Sequence, residues 1–377
     1  MTKNKVYITA ACRTPTALMG KGLSDRSEQW LASKVFEKIA RDFPGDLAAI
    51  DEIVLGVARQ TSVPSNCARY VSLLAEYPQE IPAYTSAMQS ASGLAAMCSA
   101  YFYIGTGAKN LMLVGGTEST SLAPLELHDV RYDFPPSKRN LVDAMDEQMF
   151  GSQPYDLYGD FTIDELDRNV SIYYNLSDDS VERYAAADLD AATVNLGNPL
   201  SAANLVPLTF KRGKGEVTVD KDELSRLACV TPYGDGAAVC IVAGSEAVAK
   251  QSLTPVCEIA GIGMAAGNPM NGGVEAVTAV EKALGGVPLS KVGFVSTSIL
   301  TASQGLGLQK KLLEKGVDPK AINPYGSNLH FGNPQGASGC LSAVAAARAV
   351  EVLGCEYSLA VACAEGGQSA AMLFRKP

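Results

Sequence analysis

Ser90-Ala91-Ser92-Gly93-Leu94 opens an apolar stretch of helical spacing, followed by the strand-like Leu111-Met112-Leu113-Val114 and then Gly115-Gly116-Thr117-Glu118. Far downstream the chain says the same thing again. Gly336-Ala337-Ser338-Gly339-Cys340 opens a second apolar stretch, followed by Tyr357-Ser358-Leu359-Ala360-Val361 and Ala362-Cys363-Ala364-Glu365. The offset is 246 from Ala91 to Ala337 and 247 from Glu118 to Glu365. A phrase kept in step over that distance predicts one fold built twice, with its halves facing each other.

The duplication extends outward from this phrase. A strand over 5–11 ends in a turn at Arg13-Thr14-Pro15, and its counterpart over 255–262 ends before Gly267-Asn268-Pro269. Residues 48–56 likewise answer to 289–296. Each half reads as strand, helix, strand, helix, strand, which implies crossover connections and mostly parallel sheets covered on both faces. Between the halves lies an insertion rich in charge and tyrosine, punctuated by Pro135-Pro136, Pro154, Pro199 and Pro207. Helices are expected there over 164–174 and 180–195, the second starting at Ser180 with Glu182 and Arg183 in its first turn. Such an insertion reads as a ligand-binding lid. The expected division is an N-terminal half at 1–120, a loop domain carrying the last N-half strand at 121–242, and a C-terminal half at 243–377.

A hydrophobic content of 47% in 377 residues supplies core for two or three packed units. A net charge of -9 argues against nucleic acid or an anionic membrane as partner. No apolar run reaches the roughly 18 residues of a membrane span, and the N-terminus runs straight into a strand, so the cytoplasm is the expected location. Nine cysteines without any C-x-x-C pair read as small core residues, with neither a disulfide framework nor a metal site expected. The local basic run Lys211-Arg212-Gly213-Lys214 could meet a small acidic ligand or be a solvated loop. Gly261-Ile262-Gly263-Met264-Ala265-Ala266-Gly267 has the wrong spacing for a dinucleotide fingerprint, and no Walker loop or G-x-S-x-G is present.

Four segments carry chemistry. Ser90 and Ser92 sit at the mouth of a helix, where free amides and the macrodipole favour a developing anion, although serine there is equally a helix cap. His330, one of two histidines with His128, lies in the Gly-, Asn- and Pro-rich loop 326–339; a structural role competes with a catalytic one. Cys363 ends a buried-looking strand and could act as acid or base if its pKa were lowered. Thr231-Pro232-Tyr233-Gly234-Asp235-Gly236-Ala237-Ala238 is a turn leading into an apolar strand.

Taken in order and over nearly the whole chain, these motifs resemble the thiolase family. The nucleophile segment ending C-x-S-G-L is matched by Ser90-Ala91-Ser92-Gly93-Leu94, and G-G-M-E-S-M-S by Gly115-Gly116-Thr117-Glu118-Ser119-Thr120-Ser121. The N-D-G-A-A turn is matched from Asp235 to Ala238 and G-H-P-x-G-A-S-G by Gly332-Asn333-Pro334-Gln335-Gly336-Ala337-Ser338-Gly339. The closing C-x-G-G-G is matched by Cys363-Ala364-Glu365-Gly366-Gly367.

The resemblance implies an α/β fold of two βαβαβαββ halves in five αβαβα layers, with an inserted loop domain and a homodimer or homotetramer. It also implies Claisen chemistry on a β-ketoacyl thioester, with coenzyme A thioester as substrate and no cofactor. In such a reading Ser90 accepts the acyl group and Cys363 moves a proton. His330 and Asn333 hydrogen-bond thioester oxygens, Gly366 and Gly367 offer backbone to an oxyanion, and Thr231, Lys211 and Arg212 bind coenzyme A.

The departures fall where the chemistry should be. Ser90 stands at the nucleophilic cysteine, Asn333 at the activating histidine, and Thr297-Ser298-Ile299-Leu300 at the N-E-A-F segment. A serine hydroxyl is far more basic than a thiol and needs a positioned base, which Asn333 cannot be. His330 could replace the imidazole only if its loop turns it inward. Ser90 reads either as native or as a Cys replacement of the kind used to trap acyl enzymes. The alternative class is a non-catalytic thiolase-like subunit that binds acyl-CoA or supports an active partner subunit. A condensing enzyme served by a carrier protein is a poorer match for two histidines. Tyr132, Phe134, Tyr155, Tyr158 and Phe161 either shape a bulky acyl pocket or pack the lid.

Overall fold

The computed structural model describes residues 4–59, 64–127, 141–145, 162–194, 196–202, 204–226 and 228–377. The five aromatics named above and His128 lie outside the described residues. In the N-terminal half, β1 (Val6–Arg13), β2 (Glu52–Gly56), β3 (Ala83–Ser86), β4 (Leu111–Ser119) and β5 (Gly234–Gly244) lie in the order β3-β2-β4-β5-β1. In the C-terminal half, β6 (Cys257–Ala266), β7 (Val292–Ser298), β8 (Tyr357–Ala364) and β9 (Gln368–Arg375) lie in the order β7-β8-β9-β6. The third strand of this half shrinks to a parallel bridge between Val295 and Ile322, which stands beside β7 as β3 stands beside β2. Pairing of Tyr7 with Glu258 and Ile8 with Cys257 joins the halves into one ten-stranded sheet, its tenth member being Ala17–Leu18 against β5.

All residues of β4 and β5 are buried, as unbroken apolar runs require when both sheet faces are covered. The outer face of the first half is covered by α1 (Glu28–Asp42), capped by the Ser27 side chain, and by α2 (Cys67–Leu74). Leu31, Val35, Phe36 and Ile39 of α1 pack there on Leu55, Leu113 and Ile241. Between the two halves of the ten-stranded sheet lies α3 (Ser92–Thr106). The insertion contributes α4 (Ile163–Tyr174) and α5 (Asp178–Val194). The outer face of the second half is covered by α6 (Ala276–Leu284) and α7 (Ala302–Glu314), and α8 (Ser338–Val352) joins α3 in the middle. Leu94, Met97, Val344 and Ala347 share one core with Val114, Val242 and Met372, drawn from both halves of the sheet. The layers are therefore α, β, α, β, α, as the family resemblance implied.

The phrase itself is explained by the crossing of α3 and α8. A Cβ on Gly93 would stand 2.9 Å from Cys340 Cβ, and one on Gly339 would stand 2.8 Å from Leu94 Cβ. These are the same contact seen from the two halves, since Gly93 answers to Gly339 and Leu94 to Cys340. Only glycine lets the two central helices approach this closely.

The expectation of mostly parallel sheets fails: β1, β5, β6 and β9 run antiparallel to their neighbours, and among these strands only β2 with β3 and β4, and β7 with β8, pair parallel. A tight turn joins β8 to β9 and the loop insertion joins β4 to β5, where a crossover helix was expected. Element boundaries differ as well. The strand read as 255–262 continues to Ala266, because Gly261 and Gly263 leave room for the Ala283 and Ala279 carbonyl oxygens of α6, where any Cβ would collide. Helix α5 begins at Asp178, and the Ser180 hydroxyl donates to Ser177 O from within the first turn. Helix α4 starts on a reciprocal capping box between Thr162 and Glu165. Among the described residues, no helix is long and apolar enough to cross a membrane.

Candidate functional site

Helix α3 begins at Ser92, with Ala91 in the cap position and no side-chain cap. The cap expected of Ser90 or Ser92 is therefore absent. Gln89 instead adopts φ +46°, and the Ser92 hydroxyl closes this tight turn by accepting from Met88 N at 2.8 Å and donating to Gln89 O at 2.6 Å. A non-glycine residue in that region is strained, and the surrounding bonds hold it there. The turn leaves Ser90 pointing elsewhere, fully buried.

Two residues from the other half hold the Ser90 hydroxyl. It accepts from Asn333 Nδ2 at 3.0 Å and donates to Glu365 Oε1 at 3.1 Å, while Ser90 N donates to Glu365 Oε2 at 3.1 Å. Asn333 is fixed in turn: its N–H donates to Pro232 O, its carbonyl accepts from Gly234 N, and its Oδ1 accepts from Ser338 Oγ at 2.5 Å. That last bond turns the amide so that its donor end faces Ser90.

Glu365 is the functional candidate the motif comparison passed over. It stands at the first glycine of C-x-G-G-G, and the signal that could have found it is that mismatch. Burial pushes its carboxyl above the usual carboxylate range, opposed by its own backbone and by the Ser90 amide and hydroxyl. Gly366 (φ +77°) and Gly367 (φ +67°) then turn the chain from β8 into β9. Gly367 O accepts from Gly267 N at 2.8 Å.

Cys363 lies on β8 opposite Ser369, 1% exposed. Burial first, and then the charge of Glu275, pushes its thiol up to about 12, against a hydrogen bond with Ser369. It is therefore a thiol at neutral pH rather than the activated thiolate considered above.

His330 is buried, but its loop does not turn it toward Ser90. Its Nε2 faces Ala185 O of α5 at 2.9 Å, its Nδ1 faces Ser225 Oγ at 3.4 Å, and Asp188 Oδ2 lies 4.0 Å from Nε2. The imidazole ties the loop domain to the 328–333 segment. Thr231 donates its hydroxyl to Ile299 O at 2.9 Å and its N–H to Leu300 O at 3.0 Å, so it braces the segment that replaces N-E-A-F. Lys211 and Arg212 lie on a hairpin of Leu208–Arg212 and Gly215–Val219. Arg212 spends its guanidinium on both Asp25 oxygens, at 3.1 and 2.5 Å, and on Gly22 O, whereas Lys211 and Lys214 are exposed. The structure thus brings together Ser90, Asn333, Glu365 and Ser338, and places His330 and Arg212 in other networks.

The arrangement offers a serine hydroxyl between one acceptor and one donor at the mouth of a helix, with a protonated thiol two residues before the acceptor. The thiolase N-terminal domain family matches residues 6–231 and the thiolase C-terminal domain family matches 253–376. A beta-ketoadipyl-CoA thiolase of Pseudomonas aeruginosa is 29% identical over 99% of both chains. A probable acetyl-CoA acyltransferase of Staphylococcus aureus is 27% identical over the same shares. Among solved structures, the Bacillus anthracis acetyl-CoA acetyltransferase superposes with a TM-score of 0.92 at 24% identity, covering 99% of each chain. Human mitochondrial 3-ketoacyl-CoA thiolase in complex with CoA superposes at 0.90 and 22% identity, covering 99% of this chain and 98% of that one. With both family domains matched across its two halves, the chain belongs to the thiolase family.

Proposed function

We propose that this chain transfers acyl groups of coenzyme A thioesters by thiolase-type Claisen chemistry, with Ser90 as acyl acceptor and Cys363 as proton carrier. The observation that carries the reading is the Ser90 hydroxyl, aimed away from its helix and held between Asn333 Nδ2 and Glu365 Oε1. Attack of Oγ on a thioester carbonyl forms an ester and expels the thiolate, and the Asn333 amide remains beside the reacting oxygen as donor. Cys363, protonated at rest, gives its proton to the enolate when a β-ketoacyl thioester is cleaved and takes one from the acyl α-carbon in the reverse direction. His330 acts one step back, by fixing the loop domain to the segment that bears Asn333. Exposed Lys211 and Lys214 are the candidates for the phosphates of coenzyme A.

One observation favours a second reading, a subunit that binds acyl-CoA and leaves the chemistry to a partner. The Ser90 amide, which would face an oxyanion at the helix mouth, is already taken by Glu365 Oε2. The test is to incubate the protein and its Ser90→Cys variant with acetyl-CoA, measuring acyl-enzyme mass, released coenzyme A and exchange of the acetyl α-protons. Acylation of Ser90, with α-proton exchange abolished by Cys363→Ala, is the expected result. Failure of both proteins to acylate and to exchange would leave the binding subunit as the surviving reading.

A further inference from the structure

Glu365 has a twin. Glu118 occupies the equivalent place on β4, as Gly336 occupies that of Ser90, and the two carboxylates do the same thing with one of their oxygens. Glu118 Oε2 accepts from Gly336 N at 3.2 Å, and Glu365 Oε2 accepts from Ser90 N at 3.1 Å. Each therefore clamps the turn that enters the opposite central helix. The second oxygens differ. Glu118 Oε1 is buried without a hydrogen-bond partner among the described residues, because Gly336 has no side chain to offer. Glu365 Oε1 receives the Ser90 hydroxyl at 3.1 Å. The clamp needs one oxygen, so the bond to the hydroxyl is an addition to it.

We infer that Glu365 is a catalytic base which takes the Ser90 hydroxyl proton on Oε1, an inference that rests on Ser90 being the acyl acceptor. As the proton moves to Oε1, the Ser90 Oγ–carbon bond forms. The thioester carbon–sulfur bond then breaks, and the departing coenzyme A sulfur takes the proton back from Glu365. The base missing at position 333 is thus supplied from the end of β8, and Asn333 keeps only the role of donor. The groups acting on the Glu365 carboxyl are neutral: its own backbone, the Ser90 amide and hydroxyl, and the Gln335 carboxamide. Burial outweighs these neutral donors, so the basic form grows in only above the usual carboxylate range, and acylation should rise with pH through that raised midpoint.

The test uses the full chain, acetyl-CoA as acyl donor, and a small alkyl fluorophosphonate that reports hydroxyl activation whatever the natural acyl group is. Glu365→Gln keeps the size and can still accept the Ser90 N–H, so the clamp survives while the base is lost. Ser90 modification is expected to fall by about 10²–10⁴-fold and to lose its rise with pH. Glu118→Gln, which alters only the twin clamp, should leave labelling unchanged. Glu365→Asp retains a carboxylate, and a slower reaction that still rises with pH is expected; this variant decides the matter if the Gln protein does not fold. If the wild type acylates Ser90 while Glu365→Gln does so at the same rate and with the same pH profile, or Glu365→Asp loses the rise, Glu365 is a clamp only and the proposed function stands. If the wild type is modified by neither reagent, the proposed function fails and this role falls with it.

Discussion

Asn333 reaches Ser90 across 243 residues of sequence, Nδ2 to Oγ at 3.0 Å, and the Ser338 hydroxyl decides which end of the amide makes that contact. A carboxylate in its place would put two acceptors against a hydroxyl already committed to Glu365. Asn333→Asp should therefore lower Ser90 labelling sharply and cost about 1–3 kcal/mol of stability by leaving buried polar atoms unpaired. Asn333→His restores a ring nitrogen that can donate and should recover part of the labelling. Rates for the two variants side by side, with urea midpoints, test this; an Asp variant that labels like wild type would remove Asn333 from the reaction.

His330 invites the opposite expectation. Its ring bonds to Ala185 O and faces Ser225, neither of which is among the hydrogen-bond partners of Ser90. His330→Ala should destabilise the protein by about 2–5 kcal/mol through lost bonds and a cavity in a fully buried position. The rate of Ser90 labelling in the folded fraction should stay where it was. A loss of labelling without a loss of stability would return His330 to the chemistry.

The layered fold was legible because strands alternate with helices in two halves kept in step and their motifs resemble one family. The structure adds why Ala-Ser-Gly is repeated, since the close crossing of α3 and α8 demands glycine twice. The end of β6 was not, since Gly261 and Gly263 look like a loop until the α6 carbonyls that fill their missing Cβ positions are in view. Ser90 was legible as the residue in question, but its cap reading failed because Ser92 does the turn-closing work from two residues on. His330 gave no signal of its direction: a short helical turn, Asn328–Phe331, inside the Gly-, Asn- and Pro-rich loop sets where its ring faces. Glu365 was counted within a matching motif, and only its approach to Ser90 from 275 residues away reveals its partner.

Glu118 makes a pH prediction of its own. It is fully buried, and burial outweighs the nearby Arg59 to push its carboxyl from the model-compound 4.5 up to about 8. The folded state thus holds a proton that the unfolded chain has already released between these values. That contribution to stability is fully present below about 4.5 and is lost as pH rises through about 8. Glu118→Gln cannot ionise, so its urea midpoint relative to wild type should rise steadily between pH 5 and 8. Parallel curves for the two proteins would show that Glu118 is ionised throughout.

The crossing of α3 and α8 can be tested by adding one methyl group at a time, because its two glycines face different kinds of neighbour. A Cβ at Gly339 meets Leu94 Cβ at 2.8 Å and Ala362 Cβ at 3.2 Å, and its nearest backbone atom, Leu94 N, lies 3.3 Å away. A Cβ at Gly93 meets the backbone oxygen of Gly336 at 2.7 Å as well as Cys340 Cβ. Gly336 cannot retreat, since its own missing Cβ would already lie 2.8 Å from Thr117 O and from Val57 Cα. Alanine gains up to about 1 kcal/mol over glycine in a helix, and overpacking of about 1–3 kcal/mol should outweigh that at Gly339. Gly93→Ala should cost more still and should also slow Ser90 labelling, because any shift of residue 336 is passed through Ser338 to the amide of Asn333. Urea midpoints at unchanged slope give the order; Gly93→Ala as stable as Gly339→Ala would mean that the crossing has slack and that the loop bearing Asn333 is free to yield.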